Sequence, residues 1–288
     1  MSTLRVFTSK TKNCYDIEAE KGGQVLVRAS FLYGNYDGKS SPPSFVLLAD
    51  GNYWNTVKVR SIDDVTVYEA IYVVKGDYIS VCVAQTHLDQ LPFISALEVR
   101  SVGANIYAHV NSDYALLVNN RVAYGSPNAV RYPDDDYDRI WVIDDEYTTL
   151  KNKAPKIDVN LTDNPPVAVL ENAATTSISE PLILTTHIST SDEQPIYINM
   201  YFSEVTPLNS SDQRSFFFTI DGEIASEPII PPYGSVLEMY LTNTTATANT
   251  TFALVATNDS TLPPLINALE VFIVAGPLTD AATDANDR

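Results

Sequence analysis

Apolar and polar positions along this chain alternate in short bursts and never settle into a helical spacing. Gln24-Val-Leu-Val-Arg-Ala-Ser-Phe31 alternates, as do Asn55-Thr-Val-Lys-Val-Arg60 and part of Val65-Thr-Val-Tyr-Glu-Ala-Ile-Tyr-Val73. That is the period of a strand with one face in a core and the other in water. Clusters of Gly, Pro, Asn and Asp break the chain at short, regular intervals, and short strands punctuated in this way predict an all-β sandwich or barrel.

The pattern also repeats. Leu91-Pro-Phe-Ile-Ser-Ala-Leu-Glu-Val-Arg-Ser-Val102 returns as Leu262-Pro-Pro-Leu-Ile-Asn-Ala-Leu-Glu-Val-Phe-Ile-Val274. The step from Ala96 to Ala268 also brings Val83-Ala84 onto Val255-Ala256. With a slip of one residue, Phe45-Val-Leu-Leu-Ala-Asp-Gly51 matches Phe216-Phe-Phe-Thr-Ile-Asp-Gly222, each an apolar run ended by the Asp-Gly of a tight hairpin. A period far longer than a solenoid repeat means two copies of one β-rich domain. The expected division is a first lobe over 1–150, a linker over 151–166 with three prolines and little apolar periodicity, and a second lobe over 167–276. Residues 277–288, acidic and free of aromatics, read as a disordered tail.

Composition narrows the function classes. The 288 residues are 45% hydrophobic, enough for two cores. Thirty-six acidic against 18 basic residues give a net charge of −18, which repels phosphate backbones and anionic headgroups and so argues against nucleic acid and bare membrane as partners. No apolar run approaches the ~20 residues of a membrane span, and Met1-Ser-Thr-Leu-Arg5 lacks the apolar stretch of a signal peptide. The expectation is a soluble chain with no direct membrane insertion. His87, His109 and His187 are scattered, with no zinc-type spacing and no neighbouring nucleophile. Phosphate loops and nucleophile elbows are missing, so no cofactor or metal is expected. A glycosidase needs only two carboxylates, which an acidic chain always offers, and that reading is discounted for want of a pocket.

Cys14 and Cys82 both fall in strand-like runs. Either they pair, closing a loop long enough for about 4 kcal/mol in the chain-entropy account, or they lie as two buried thiols. Asn-x-Ser/Thr acceptors stand at Asn160, Asn209, Asn243, Asn249 and Asn258, none of them before residue 160, and lean toward a secreted protein.

Sugar recognition needs flat aromatic faces with carboxylates or amides beside them. Tyr33-Gly-Asn-Tyr36-Asp37-Gly38 and Tyr53-Trp54 supply these groups near turns, which makes Tyr33, Tyr36, Asp37, Tyr53 and Trp54 the candidate ligand residues. The competing role is domain-edge core with polar tips in water. Arg131-Tyr-Pro-Asp-Asp-Asp-Tyr-Asp-Arg-Ile-Trp141 lacks the spaced ligands and central Gly of a calcium loop. Instead Arg131 and Arg139 are placed to pair with Asp134, Asp135, Asp136 and Asp138, while Tyr132, Tyr137, Ile140 and Trp141 fasten the segment to the core.

Arg5-Val-Phe7, Asn13-Cys-Tyr15, Arg28-Ala-Ser-Phe-Leu-Tyr-Gly-Asn-Tyr-Asp-Gly38, Pro92-Phe-Ile-Ser-Ala-Leu-Glu98 and Arg131 to Trp141 together resemble the malectin-like ectodomain of plant leucine-rich-repeat receptor-like kinases. In the second lobe, Tyr197-Ile-Asn-Met-Tyr-Phe-Ser-Glu204 and Ser215-Phe-Phe-Phe-Thr-Ile-Asp-Gly222 look like the paired core strands of malectin itself. The resemblance implies two tandem jelly-roll-type β-sandwich lobes on the extracellular face of the plasma membrane. It also implies a non-enzymatic receptor part that meets a cell-wall oligosaccharide or a secreted peptide, with a co-receptor ectodomain as a further partner. The alternative is an interaction scaffold that binds no sugar. Family members usually open with a signal peptide and a strand bearing Cys-Gly. The N-terminal strands are therefore expected to be missing here, and Cys14 or Cys82 then has a potential partner outside this chain. The repeats, membrane span and kinase of the family do not follow in this sequence.

Overall fold

The structure, a computed structural model, describes residues 3–103 and 105–278. Ten strands come first: β1 (Arg5–Val6), β2 (Lys12–Glu18), β3 (Gln24–Phe31), β4 (Phe45–Ala49), β5 (Asn52–Val57), β6 (Thr66–Val73), β7 (Tyr78–Gln85), β8 (Phe93–Ile94), β9 (Ala96–Ser101) and β10 (Tyr114–Tyr124). Then follow β11 (Val142–Asp144), β12 (Thr148–Lys151), a 3-10 turn (Val167–Leu170), β13 (Asn172–Thr175), β14 (Leu182–Ile183), β15 (Gln194–Phe202) and β16 (Phe216–Ile220). The remainder is β17 (Glu223–Ile224), β18 (Leu237–Ala246), β19 (Phe252–Ala256), β20 (Leu265–Ile266) and β21 (Ala268–Pro277). Among the described residues there is no α-helix, so the fold class is all-β.

The described residues divide into two compact units, 3–103, 110–118 and 274–278 in one and 105–109 with 119–273 in the other. This differs from the expected cut near residue 150, because β10 and β21 each give part of their length to both units. Nor are residues 151–166 a free connector. Lys153 N donates to Val205 O at 2.7 Å, Asn152 Nδ2 donates to Leu170 O at 3.1 Å, and Ile157 and Asp163 are buried. The expected tail from 279 onward lies outside the described residues.

In the first unit one sheet runs β2-β7-β4-β5 and the other β10-β6-β3-β9. Alternate residues of both face a common core: Val25, Val27, Ala29 and Phe31 from β3, Phe45 and Leu47 from β4, and Ile79, Val81 and Val83 from β7. Each such large side chain taken out of water contributes about 1.5–3 kcal/mol. Cys14 faces Cys82 across β2 and β7, and the two are joined by a disulfide.

The second unit repeats the plan with β14-β19-β16-β17 against β18-β15-β21-β10. Ile196, Ile198, Met200 and Phe202 of β15 enter its core beside Phe216, Phe218, Phe252, Leu254 and Leu269. Both Asp-Gly pairs close hairpins with positive φ at each central residue, +48 and +77° at Asp50-Gly51 and +50 and +84° at Asp221-Gly222. This is the geometry in which turn twist matches strand twist. One detail of the repeat slips in space. Val83 is buried opposite Leu47, whereas Val255 is 39% exposed opposite Phe217. A one-residue shift moves a side chain to the other face of its sheet.

Candidate functional site

The five candidate ligand residues do not form one surface. Tyr33 is fully buried and its hydroxyl donates to Asp37 Oδ1, a bond that holds the Asp37 carboxyl below its ordinary range. Tyr36 is half-buried, its ring against Tyr33 at 5.4 Å and Phe93 at 5.6 Å between centroids. Trp54, 2% exposed, belongs to the same core. Of the five only Tyr53 is largely exposed, at 58%, on the strand face opposite Trp54, with its hydroxyl 3.0 Å from Thr56 Oγ1. Strand alternation accounts for the split, since consecutive side chains of β5 point to opposite sides. Tyr33 and Trp54 are thus core residues and offer no face to a pyranose ring.

The segment from Arg131 to Trp141 builds a compact turn. Arg131 holds Asp138 bidentately, with Nε and Nη2 each 3.0 Å from an oxygen, and Tyr132 N donates to the same carboxylate at 3.1 Å. Buried Asp135 accepts from Arg139 Nε at 2.8 Å, Trp141 Nε1 at 2.9 Å and Tyr137 N at 2.9 Å. Its oxygens are thereby committed to protein donors. Asp134 lies exposed outside this network, its N donating to Arg131 O at 2.8 Å. Planar guanidinium groups suit such forks and also stack on rings, and Arg139 lies 5.4 Å from the Trp141 centroid.

Sequence reasoning missed what this turn covers. On β15 the residues between the core positions are Tyr197, Asn199 and Tyr201, and all three are buried on the opposite face of the sheet. Segments 105–109, 135–141 and 161–164 lie over them. Glu270 accepts from Arg121 Nε at 2.7 Å, Tyr107 OH at 2.6 Å and Tyr201 OH at 3.0 Å. Arg139 donates onward to the carbonyls of Asp163 at 2.9 Å and Asn164 at 2.6 Å. Asn199 Nδ2 reaches Asp163 Oδ2 at 2.7 Å, Glu238 Oε1 at 2.5 Å and Tyr201 OH at 2.8 Å. The one cue in the chain was Tyr-Ile-Asn-Met-Tyr, where the polar half of a strand alternation is large and aromatic.

Asp163 and Glu238 are hydrogen-bonded to one another. Burial, then the Asp163 carboxylate, push the Glu238 carboxyl up to about 8. Burial also raises Asp163, against the pull of the Tyr107 N–H donated at 2.6 Å. The pair therefore holds a proton near neutrality. At the exposed edge of the cluster His109 stacks on Tyr240 at 3.7 Å and 14°, covering one face of that ring. The arrangement supplies a buried, proton-holding polar layer.

A malectin-like domain model matches residues 1–274. Among curated proteins, the chain is 37% identical over 285 residues to the uncharacterized protein At1g24485 of Arabidopsis thaliana, covering 96% of this chain and 55% of that one. It is 33% identical over 277 residues to the probable LRR receptor-like serine/threonine-protein kinase At5g59680 of the same plant, covering 95% of this chain and 31% of that one. The chain thus spans about half of the first relative and a third of the second, and the kinase domain of the second lies outside it. Among solved structures, the ANX1 ectodomain from Arabidopsis thaliana superposes with a TM-score of 0.76 at 16% identity, over 95% of this chain and 83% of that one. The plant peptide RALF23 complex with FER and LLG2 gives 0.73 at 16%, over 99% and 84%. At these identities the structures speak for the fold. With the repeated sandwich described above and a family match over nearly its whole length, the chain belongs to the malectin-like domain family.

Proposed function

We propose that this chain is the extracellular ligand-binding part of a plant receptor-like kinase system, and that it meets a secreted peptide together with a co-receptor ectodomain in place of a wall oligosaccharide. The observation that carries the choice is the burial of Tyr33 and Trp54. A sugar platform needs a free aromatic face beside polar groups. Among the named candidates only Tyr53 offers one, and one face of Tyr240 is already taken by His109. Peptide recognition makes no such demand, and a structural neighbour was crystallised with a peptide, RALF23, and a second protein, LLG2. The family match and the receptor-kinase relatives support the extracellular placement. Among the described residues no helix is long and apolar enough to cross a membrane.

Biolayer interferometry against synthetic RALF23, with and without LLG2, tests the peptide reading, and an oligosaccharide array run on the same preparation tests its rival. A peptide response that grows when LLG2 is added supports the proposal. Saturable binding of an oligosaccharide with no response to peptide would overturn it.

A further inference from the structure

The two units differ in how their sheet edges are protected. In the first, β9 carries Glu98 and Arg100, β2 begins with Lys12 and is tied through Cys14 to β7, and the β4–β5 ladder shifts register between Leu47 and Leu48. Charges and irregularities of this kind keep an open edge from pairing with another chain. In the second, β14 and β17 are only two residues long. The strand β18 is different. It has ten residues, Leu-Glu-Met-Tyr-Leu-Thr-Asn-Thr-Thr-Ala, bonded to β15 on one side and to no strand on the other among the described residues. It contains no Lys, Arg or Pro, and its single ionisable side chain of acid or base type, Glu238, is turned into the polar cluster. Length and composition make it the edge best able to template a further strand.

The strand has one irregularity. Ile196 faces Thr244 and Ile198 faces Leu241, so Thr242 and Asn243 both stand opposite Tyr197 in a bulge. Asn243 sits there at φ +57°, in the left-handed region that Asn tolerates better than most residues, and it is exposed. Asn243-Thr244-Thr245 is an Asn-x-Thr acceptor. We propose that Asn243 is N-glycosylated and that its glycan closes the open edge of β18. The inference rests on the extracellular reading, because only a chain entering the secretory route meets the transferase. The Asn243 Nδ2 forms a bond to the anomeric carbon of a lipid-pyrophosphate-linked oligosaccharide. That carbon's bond to the pyrophosphate oxygen breaks, the lipid pyrophosphate leaves with the electron pair, and the amide gives up one proton. The acceptors at Asn160, Asn209, Asn249 and Asn258 are also exposed but stand outside strands, away from an open ladder.

The test is peptide mapping of the full-length protein made in plant cells, with N-glycans removed by an amidase in heavy-oxygen water so that each occupied Asn is marked. Sedimentation of Asn243→Gln and Thr245→Ala proteins completes it, the second variant keeping the asparagine and its bulge. The expected result is an occupied Asn243, a monomeric glycosylated protein, and about a twofold rise in sedimenting mass for both variants as bare edges pair. Occupancy at other acceptors with Asn243 empty overturns the proposal and leaves the extracellular reading standing, whereas no occupied acceptor at all overturns both. An occupied Asn243 with monomeric variants overturns the guarding role.

Discussion

Glu98 and Glu270 hold the same station in the two copies of the sheet, each directly opposite an inner residue of the neighbouring strand, Arg28 in one case and Asn199 in the other. The repeated Ala-Leu-Glu-Val carries them there. Their partners differ. Arg28 divides itself between Glu69 at 2.6 Å and Glu98 at 3.3 Å, and Glu98 is part-exposed with Arg100 as a second partner. Glu270 is fully buried and is the carboxylate that Arg121 meets at 2.7 Å. Removing one member of a buried pair strands the other, which costs about 3–5 kcal/mol, while an exposed pair is worth about 0–1. Glu270→Ala should therefore lower stability in urea unfolding several-fold more than Glu98→Ala. Equal effects would mean that the second network does not act as a buried unit.

Trp141 is fully buried, with its indole N–H given to Asp135 and both Arg121 and Arg139 against its ring. Trp141→Ala should cost about 3–5 kcal/mol as a large aromatic truncation. Trp141→Phe keeps most of the packing and loses the hydrogen bond, leaving a buried acceptor short of a donor at about 1–3 kcal/mol. Thermal melts of the two variants should rank in that order.

Gly125, at φ +66°, has no space for a side chain, since a Cβ would come within 2.9 Å of the Ala173 carbonyl oxygen and of Thr149 Cγ2. Gly51 is also left-handed, but a Cβ there meets nothing within 4 Å. Backbone strain of about 1–3 kcal/mol applies to both, and Gly125→Ala adds the displacement of a strand carbonyl. Gly125→Ala should accordingly unfold at a lower denaturant concentration than Gly51→Ala.

The strands, the paired hairpin turns and the duplication were legible because each is a local or periodic signal: alternation, Asp-Gly, and Ala-Leu-Glu twice. The faces were not. Alternation separates Tyr53 from Trp54 but does not say which side the core takes, and Tyr33 next to Gly34 reads as a loop residue until Phe93, sixty positions on, is seen near its ring. The polar layer was invisible for the same reason at longer range, since Tyr107 reaches Glu270 across 163 positions. These placements imply a contrast within two adjacent residues. Trp54→Ala should cost about 3–5 kcal/mol and Tyr53→Ala no more than about 0.5. Chemical denaturation showing the reverse would put the first core on the wrong face of β5.

Stability should also depend on pH through the Asp163 and Glu238 pair. The Glu238 carboxyl titrates near 8 in the folded chain against an ordinary value of 4.5, raised first by burial, then by Asp163 and by Glu270, with the Asn199 amide pulling the other way. His109 lowers Asp163 from the side. A carboxyl whose folded pKa is raised binds more protons in the folded state than in the unfolded one across that interval. The stability it contributes is present in full below about 4.5 and is lost as pH rises through about 8. Melting temperature should thus fall across mildly acidic to mildly alkaline buffer. Glu238→Gln, which keeps the side chain neutral throughout, should flatten that slope. An unchanged slope in the variant would show that the shared proton does not govern the profile. A slope of opposite sign in the parent protein would show that the pair ionises freely, with solvent reaching it between residues 105–109 and β18.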